Sequence, residues 1–198
     1  SVNFTLTQMG RATLTRDAVR PMVGLGAKHM LAQGIKRTGD FDDALLAQWL
    51  PVLLDHYEAH LGSDSPPFDG LLDLMASLDA RGVKMAVVTN KYERFAVKLL
   101  REIGMLDRFQ CVIGGDTMGP GKAKPDRAPM DEMARRCGLS DPKRAVFLGD
   151  SIYDVMAAKA AGMRSIAVSF GFLHQPIEEL GADAIVDHYD EVLPLFTK

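Results

Sequence analysis

The chain has 198 residues, of which 47% are apolar and 25% are charged, and its formal net charge is −3. These values are typical of a globular protein with one substantial domain, or with a core domain and a smaller appendage. The slightly acidic balance gives no electrostatic footprint for nucleic acid or an anionic membrane. No apolar run approaches the length of a membrane span, and no charged start followed by an apolar stretch indicates a secretion signal.

Cysteine usage indicates a reducing compartment. Cys111 and Cys137 are the only cysteines, and they do not form a C-x-x-C pair. This pattern is typical of reduced, partly buried thiols, and it predicts a cytoplasmic protein. A structural disulfide between them is the alternative.

The first third of the chain shows helical spacing and no convincing strand. Apolar residues recur at i, i+3 and i+4 in two stretches, residues 19–31 and residues 45–54. A dense cluster of turn-forming residues follows at residues 61–67. We therefore predict a small all-helical domain over residues 1–64 and a second domain over residues 65–198.

The second domain alternates helical segments with short β-rich runs. The predicted helices cover residues 71–80, 95–103, 128–136, 155–161, 176–180 and 190–196, and the predicted strands cover residues 83–89, 110–113, 145–148, 165–168 and 184–186. This alternation predicts an α/β fold with a doubly wound parallel sheet and helices on both faces. Ligands bind such sheets beyond the carboxyl ends of the strands, which is where Thr89 and Asp150 fall.

Two segments carry groups that suit a phosphate. Thr89 and Asn90 end the first strand, where a hydroxyl and a backbone N–H can donate to phosphate oxygens. The alternative is a strand-terminal threonine that begins a turn. Lys124 lies in a glycine- and proline-rich loop, where Pro125 favours an extended backbone and the ammonium can neutralise phosphate charge. The same loop does not match a P-loop, because Lys122 is followed by Ala123.

Asp150 and Asp154 give the strongest chemical signal. Gly149 permits a tight passage from strand to helix, Asp150 lies on that passage, and Asp154 follows about one helical turn later. Two carboxylates facing one point repel unless a cation lies between them, and hard oxygen ligands suit Mg²⁺. The alternative is an N-cap aspartate followed by an acidic first turn.

Two other patterns are interpreted as structural. Asp40-Phe-Asp42 is the only D-x-D in the chain, but it follows a polar stretch and precedes the helix that carries Trp49. It predicts the capped, acidic start of that helix. His56 and His60 have the i, i+4 spacing of a metal pair, but a solvated helix face is the favoured interpretation.

Thr89, Lys124 and the Asp150/Asp154 pair, in this order, resemble the second, third and fourth motifs of the haloacid dehalogenase-like (HAD) superfamily. The resemblance covers nearly the whole chain, and within the superfamily it is closest to bacterial phosphoglycolate phosphatases. The stretches that carry it are Val-Thr-Asn-Lys (residues 88–91), Gly-Gly-Asp-Thr (114–117), Lys-Pro-Asp (124–126), Gly-Asp-Ser (149–151) and Ala-Ala-Gly-Met (160–163). Val-Gly-Leu-Gly at residues 23–26 resembles part of that family's helical cap.

The resemblance implies a Rossmann-like core over residues 65–198, a helical cap over residues 1–64, and two-step hydrolysis of a small phosphorylated metabolite. An Asp nucleophile would take the phosphoryl group, a second Asp two residues later would act as general acid and base, and water would cleave the aspartyl phosphate. Thr89 and the Asn90 backbone would bind phosphate, Lys124 would balance charge, and Asp150 with Asp154 would hold Mg²⁺. Phosphoglycolate is the first choice of substrate. The alternatives are another HAD phosphatase or mutase acting on a sugar phosphate or pyrophosphate, and a catalytically dead phosphate-binding protein. We expect neither a nucleic-acid partner nor a membrane partner, and a monomer or homodimer.

The chain departs from the family pattern at its start. The first motif, an apolar strand running into Asp-x-Asp-Gly-Thr, should lie upstream of Ser1, and element lengths suggest that about 20–25 residues are absent. In the family that strand lies between the strands that end here at Thr89 and Asp150. Its omission would leave two buried strand edges with unpaired backbone groups. We therefore predict that the strand belongs to the intact protein, from upstream sequence or another chain, and that this chain alone is inactive. Direct pairing of the two flanking strands would contradict this.

Overall fold

The structure is a computed structural model that describes residues 1–61, 65–173 and 175–197. The chain divides into two compact units, Ser1–Asp64 and Ser65–Lys198. Three residues of the predicted domain boundary, Gly62, Ser63 and Asp64, lie outside the described residues. Among the helices that the structure describes, none is long and apolar enough to cross a membrane.

The described part of the first unit contains helices and no strand. Its helices are α1 (Val2–Gln8), α2 (Arg16–Val19), α3 (Ala27–Thr38) and α4 (Asp43–Ala59). Their apolar faces form one core cluster of Val2, Leu6, Leu31, Ile35, Leu46 and Leu53. As predicted, Asp42 caps the helix that carries Trp49, because its Oδ1 accepts a 2.6 Å hydrogen bond from the Leu45 N–H. The assignment of this unit as a cap stays a prediction.

The second unit alternates helices and strands. Its helices are α5 (Leu71–Asp79), α6 (Glu93–Glu102), α7 (Ala128–Cys137) and α8 (Ile152–Ala160). Its strands are β1 (Val87–Val88), β2 (Val112–Ile113), β3 (Val146–Gly149), β4 (Arg164–Val168) and β5 (Ala184–Val186). All strand pairs are parallel, which confirms the predicted α/β class.

In the part of the chain that the structure describes, the strands form two separate sheets. One has the order β1-β2 and the other has the order β3-β4-β5. Between the described residues of β1 and β3 there is no ladder, so the two strands that carry the predicted site are not hydrogen-bonded neighbours. Val87 and Thr89 donate their N–H groups to Cys111 and Ile113 of the neighbouring strand segment. Because backbone groups alternate in direction along a strand, the Val88 carbonyl points away from β2.

Helices cover both faces of these strands. On β3, Phe147 packs with the cluster that includes residues of α7 and α8, whereas Val146 and Leu148 pack with the cluster that includes residues of α5. This alternation is the period-two pattern of a strand with helices packed on both faces. Thr89 and Asp150 directly follow the carboxyl ends of β1 and β3.

Some predicted elements are shorter or of another type. The strand predicted over residues 83–89 is only Val87–Val88, although its hydrogen bonds to the neighbouring segment begin at the Met85 carbonyl. The helix predicted over residues 190–196 is replaced by 3-10 turns at Tyr189–Glu191 and Leu193–Thr197. Pro194 explains the second change, because proline has no N–H for an α-helical bond. The helix predicted over residues 176–180 is likewise a 3-10 turn, Ile177–Leu180.

Candidate active site

Lys124 is the centre of the candidate site. Its side chain is buried, and its Nζ donates to the Val88 carbonyl at 2.7 Å and to Asp154 Oδ1 at 2.6 Å. The ammonium also lies 5.2 Å from the centre of the Phe147 ring. A buried charge is tolerated only when it is paired and hydrogen-bonded, and both conditions hold here. Lys124 therefore connects the end of β1 to the first turn of α8.

Asp154 combines that ion pair with a helix cap. Its Oδ2 accepts hydrogen bonds from the Asp150 N–H at 3.2 Å, the Ser151 N–H at 3.0 Å and the Ser151 hydroxyl at 2.6 Å. Ser151, rather than Asp150, is the N-cap of α8, and Ser151 with Asp154 forms a capping box. A Cβ at Gly149 would lie 2.4 Å from the Asp154 Cβ, so only glycine allows this close approach.

Asp150 is held by the loop that follows β4. Its Oδ2 accepts a 2.7 Å hydrogen bond from the Phe172 N–H. A Cβ at Gly171 would lie 2.2 Å from the Asp150 Cβ, so this loop packs directly against the carboxylate-bearing side chain. Burial, and then the charge of Asp150, raises the pKa of Tyr189.

The predicted magnesium ligands are compatible with a divalent cation, but Asp150 and Asp154 differ in the oxygens that they can offer to it. Asp150 Oδ1 accepts no hydrogen bond from the described residues, so a hard oxygen donor remains for Mg²⁺. Both oxygens of Asp154 are already engaged, one by Lys124 and one by the α8 cap. Within the described residues, no three His, Cys, Asp or Glu side chains form a ready-made metal site. The assignment of Asp150 and Asp154 as metal ligands stays a prediction.

Thr89 and Asn90 form the turn after β1. Thr89 Oγ1 accepts a 3.1 Å hydrogen bond from the Lys91 N–H, so the threonine does begin a turn, and its own O–H can still donate to a ligand. The Asn90 side chain donates to the Lys124 carbonyl at 3.0 Å. The structure therefore brings three sets of predicted residues to one edge of the unit. They lie at the end of β1, on the loop that carries Lys124 (the lysine loop) and on the passage from β3 to α8.

Sequence reasoning missed some contacts that shape this edge. Ser151 could have been found, since Ser-x-x-Asp before an apolar run is a capping-box pattern. The Phe172 N–H gave no sequence signal, because a backbone donor has no side-chain signature. The turn at residues 114–117 has only a family resemblance as its sequence signal, yet its glycines lie against the backbone of Asn90 and Glu93.

Comparison with known proteins identifies the family of the chain. The family model described as haloacid dehalogenase-like hydrolase matches residues 1–168. A phosphoglycolate phosphatase from Caulobacter vibrioides is 35% identical over 193 residues, which are 97% of this chain and 80% of the relative.

Solved structures give the same fold. A predicted phosphoglycolate phosphatase from Haemophilus somnus superposes with a TM-score of 0.90 at 24% identity, covering 100% of this chain and 88% of that one. CbbY from Rhodobacter sphaeroides, solved in complex with phosphate, superposes with a TM-score of 0.79 at 25% identity, covering 96% of this chain and 86% of that one. With the parallel α/β core and the Thr89, Lys124 and Asp150/Asp154 edge, these matches show that the chain belongs to the haloacid dehalogenase-like hydrolase family.

Proposed function

We propose that the intact protein is a Mg²⁺-dependent phosphatase of small phosphorylated metabolites, with phosphoglycolate as its first candidate substrate. The family and its phosphoglycolate phosphatase relatives support phosphatase chemistry. The observation that carries the proposal is the position of Lys124. Its ammonium contacts the Val88 carbonyl, next to Thr89, and the Asp154 carboxylate, next to the Asp150 passage.

Phosphate binding is the task of the described residues. The Thr89 hydroxyl and the Asn90 N–H would donate to phosphate oxygens, and Lys124 would offset their negative charge. Phosphoryl transfer depends mainly on positioning and on cationic neutralisation, so a buried cation beside neutral donors suits it. The Asn90 to Lys124 hydrogen bond, 3.0 Å long, supports this assignment because it fixes the two binding segments to each other.

Asp150, with Asp154, would hold the cation. Bound Mg²⁺ would neutralise the charge that develops on the phosphoryl oxygens. Phe172 would keep Asp150 oriented through its N–H, and Lys124 would keep Asp154 from acting as an isolated buried anion.

The nucleophile would come from a strand outside these residues, inserted between β1 and β3. The lack of a ladder between the described residues of β1 and β3 supports a strand in that position. Its first Asp would attack phosphorus and break the ester bond, while its second Asp would give a proton to the leaving oxygen. Water, deprotonated by that second Asp, would then attack the aspartyl phosphate and release inorganic phosphate and the free carboxylate.

An assay with p-nitrophenyl phosphate and phosphoglycolate tests the proposal. We expect Mg²⁺-dependent turnover by the extended protein, which is this chain together with the upstream strand. We expect no turnover by the 198-residue chain alone. Turnover by the shorter chain would refute the missing nucleophile. Absence of turnover by the extended protein would refute phosphatase function. Faster turnover of a sugar phosphate or pyrophosphate would refute phosphoglycolate as the preferred substrate.

A further inference from the structure

The turn after β2 packs tightly against the turn after β1. We call residues 89–91 the phosphate loop and residues 114–117 the brace. We propose that Asp116 and Thr117 of the brace are positioning residues that fix the phosphate loop for binding a phosphomonoester. This inference rests on the proposed function, because it gives a role to the residues behind the same site.

The backbone of the brace lies directly on the phosphate loop. The Gly115 N–H donates to the Lys91 carbonyl at 2.8 Å. A Cβ at Gly115 would lie 2.5 Å from the Asn90 carbonyl oxygen, and a Cβ at Gly114 would lie 2.2 Å from the Glu93 nitrogen. Such distances leave no space for any side chain, so both glycines are required by close backbone approach.

The side chains of the brace hold the start of α6. Asp116 Oδ1 accepts a 2.8 Å hydrogen bond from the Glu93 N–H, and the Thr117 hydroxyl donates to Glu93 Oε2. The same hydroxyl accepts from the Gly114 N–H at 2.7 Å, which closes a ring of contacts around Glu93. Glu93 is the first residue of α6 and lies two residues after the phosphate loop.

The phosphate loop is therefore fixed along its whole length. The β1–β2 pairing holds it at Thr89, the lysine loop holds the Asn90 side chain, and the brace holds Lys91 and Glu93. Neither Asp116 nor Thr117 is placed among the phosphate-binding groups, so loss of their contacts acts by moving the donors of the loop. Such movement weakens phosphate binding, since hydrogen-bond strength falls steeply with misalignment.

Paired substitutions separate positioning from simple structural support. Thr117→Val removes the hydroxyl, whereas Thr117→Ser retains it; Asp116→Ala removes the acceptor, whereas Asp116→Asn retains an acceptor oxygen without the charge. Asp131→Asn is the control, because Asp131 forms an exposed ion pair with Arg127 in the first turn of α7. The readouts are KM and kcat for p-nitrophenyl phosphate with Mg²⁺, inhibition by inorganic phosphate, and Tm, all on the extended protein.

We expect Thr117→Val and Asp116→Ala to raise KM and the inhibition constant of phosphate about fivefold to tenfold, the scale of one lost hydrogen bond. Thr117→Ser, Asp116→Asn and Asp131→Asn should keep both constants within about twofold of wild type. Unchanged constants in both Thr117→Val and Asp116→Ala would overturn the inference, as would a fall in Tm without a rise in KM. If the wild-type protein neither hydrolyses the ester nor binds inorganic phosphate, the proposed function is overturned instead. If Thr117→Val does not fold, Asp116→Ala decides the result alone, because Asp116 is exposed.

Discussion

The Lys124 ammonium lies 2.6 Å from the Asp154 carboxylate, and both side chains are buried. The same ammonium is bound to the Val88 carbonyl, so one cation joins two sheets that share no ladder in the described residues. In this structure the groups that would bind substrate also hold the two halves of the core together.

Replacement of Lys124 should therefore damage stability as well as activity. Lys124→Met leaves Asp154 buried without its cation, which we expect to cost about 3–5 kcal/mol in the free energy of unfolding and to abolish turnover. Urea unfolding of the extended protein measures the first effect. Lys122→Met is the control, since Lys122 is exposed and lies 3.7 Å from Asp126, and it should stay within about 0.5 kcal/mol of wild type. Equal stabilities for the two variants would contradict the bridging role of Lys124.

Asp150 should matter for the cation more than for folding. Asp150→Asn retains an oxygen that can accept from the Phe172 N–H, so the thermal midpoint should change little. We expect Mg²⁺-dependent turnover to fall on the order of 100-fold or more, because a charged hard ligand is lost. Titration of Mg²⁺ by calorimetry should show the matching loss of affinity. Near-normal turnover at low Mg²⁺ would disprove the ligand assignment.

The two cysteines predict an unusual pH profile for alkylation. Their sulfur atoms lie 3.9 Å apart and both are free thiols in this structure. Burial, followed by the neighbouring Cys137, raises the pKa of Cys111 to about 11. Because the thiolate is the nucleophile, iodoacetamide should modify Cys111 slowly near neutral pH and faster as the pH approaches 11. Mass spectrometry measures the modification. Rapid modification of Cys111 in the folded protein at pH 7 would contradict this environment.

Asp183 predicts one part of the acid sensitivity of the fold. Its Oδ2 accepts from the Ser165 N–H at 2.7 Å and from the Ser165 hydroxyl at 2.9 Å, and the backbone bond is the main reason that its pKa is lowered. A carboxyl with a lowered folded-state pKa stabilises the fold above its ordinary value of 3.8, and that contribution is lost as pH falls through the lower folded value. Asp183→Asn should lower Tm at pH 7, with a smaller difference at acidic pH. A difference in Tm that is the same at both pH values would argue against this carboxylate contact.

The sequence predicted those features that local patterns determine. Apolar runs located the strands that end just before Thr89 and Asp150, and the context of Asp42 identified a helix cap rather than a nucleophile. The Lys124 to Asp154 pair could not be predicted, because it joins residues 30 positions apart and depends on how two sheets pack. The short length of β1 could not be predicted for a similar reason. Ladder length depends on the neighbouring strand, which the β-propensity of residues 83–89 does not report.

The most direct test of the account is a crystal structure of the extended protein with Mg²⁺ and inorganic phosphate. We expect phosphate within hydrogen-bond distance of Thr89 Oγ1, the Asn90 nitrogen and Lys124 Nζ, with Mg²⁺ on Asp150 and a strand between β1 and β3. Phosphate bound away from these groups, or β1 paired directly with β3, would contradict it.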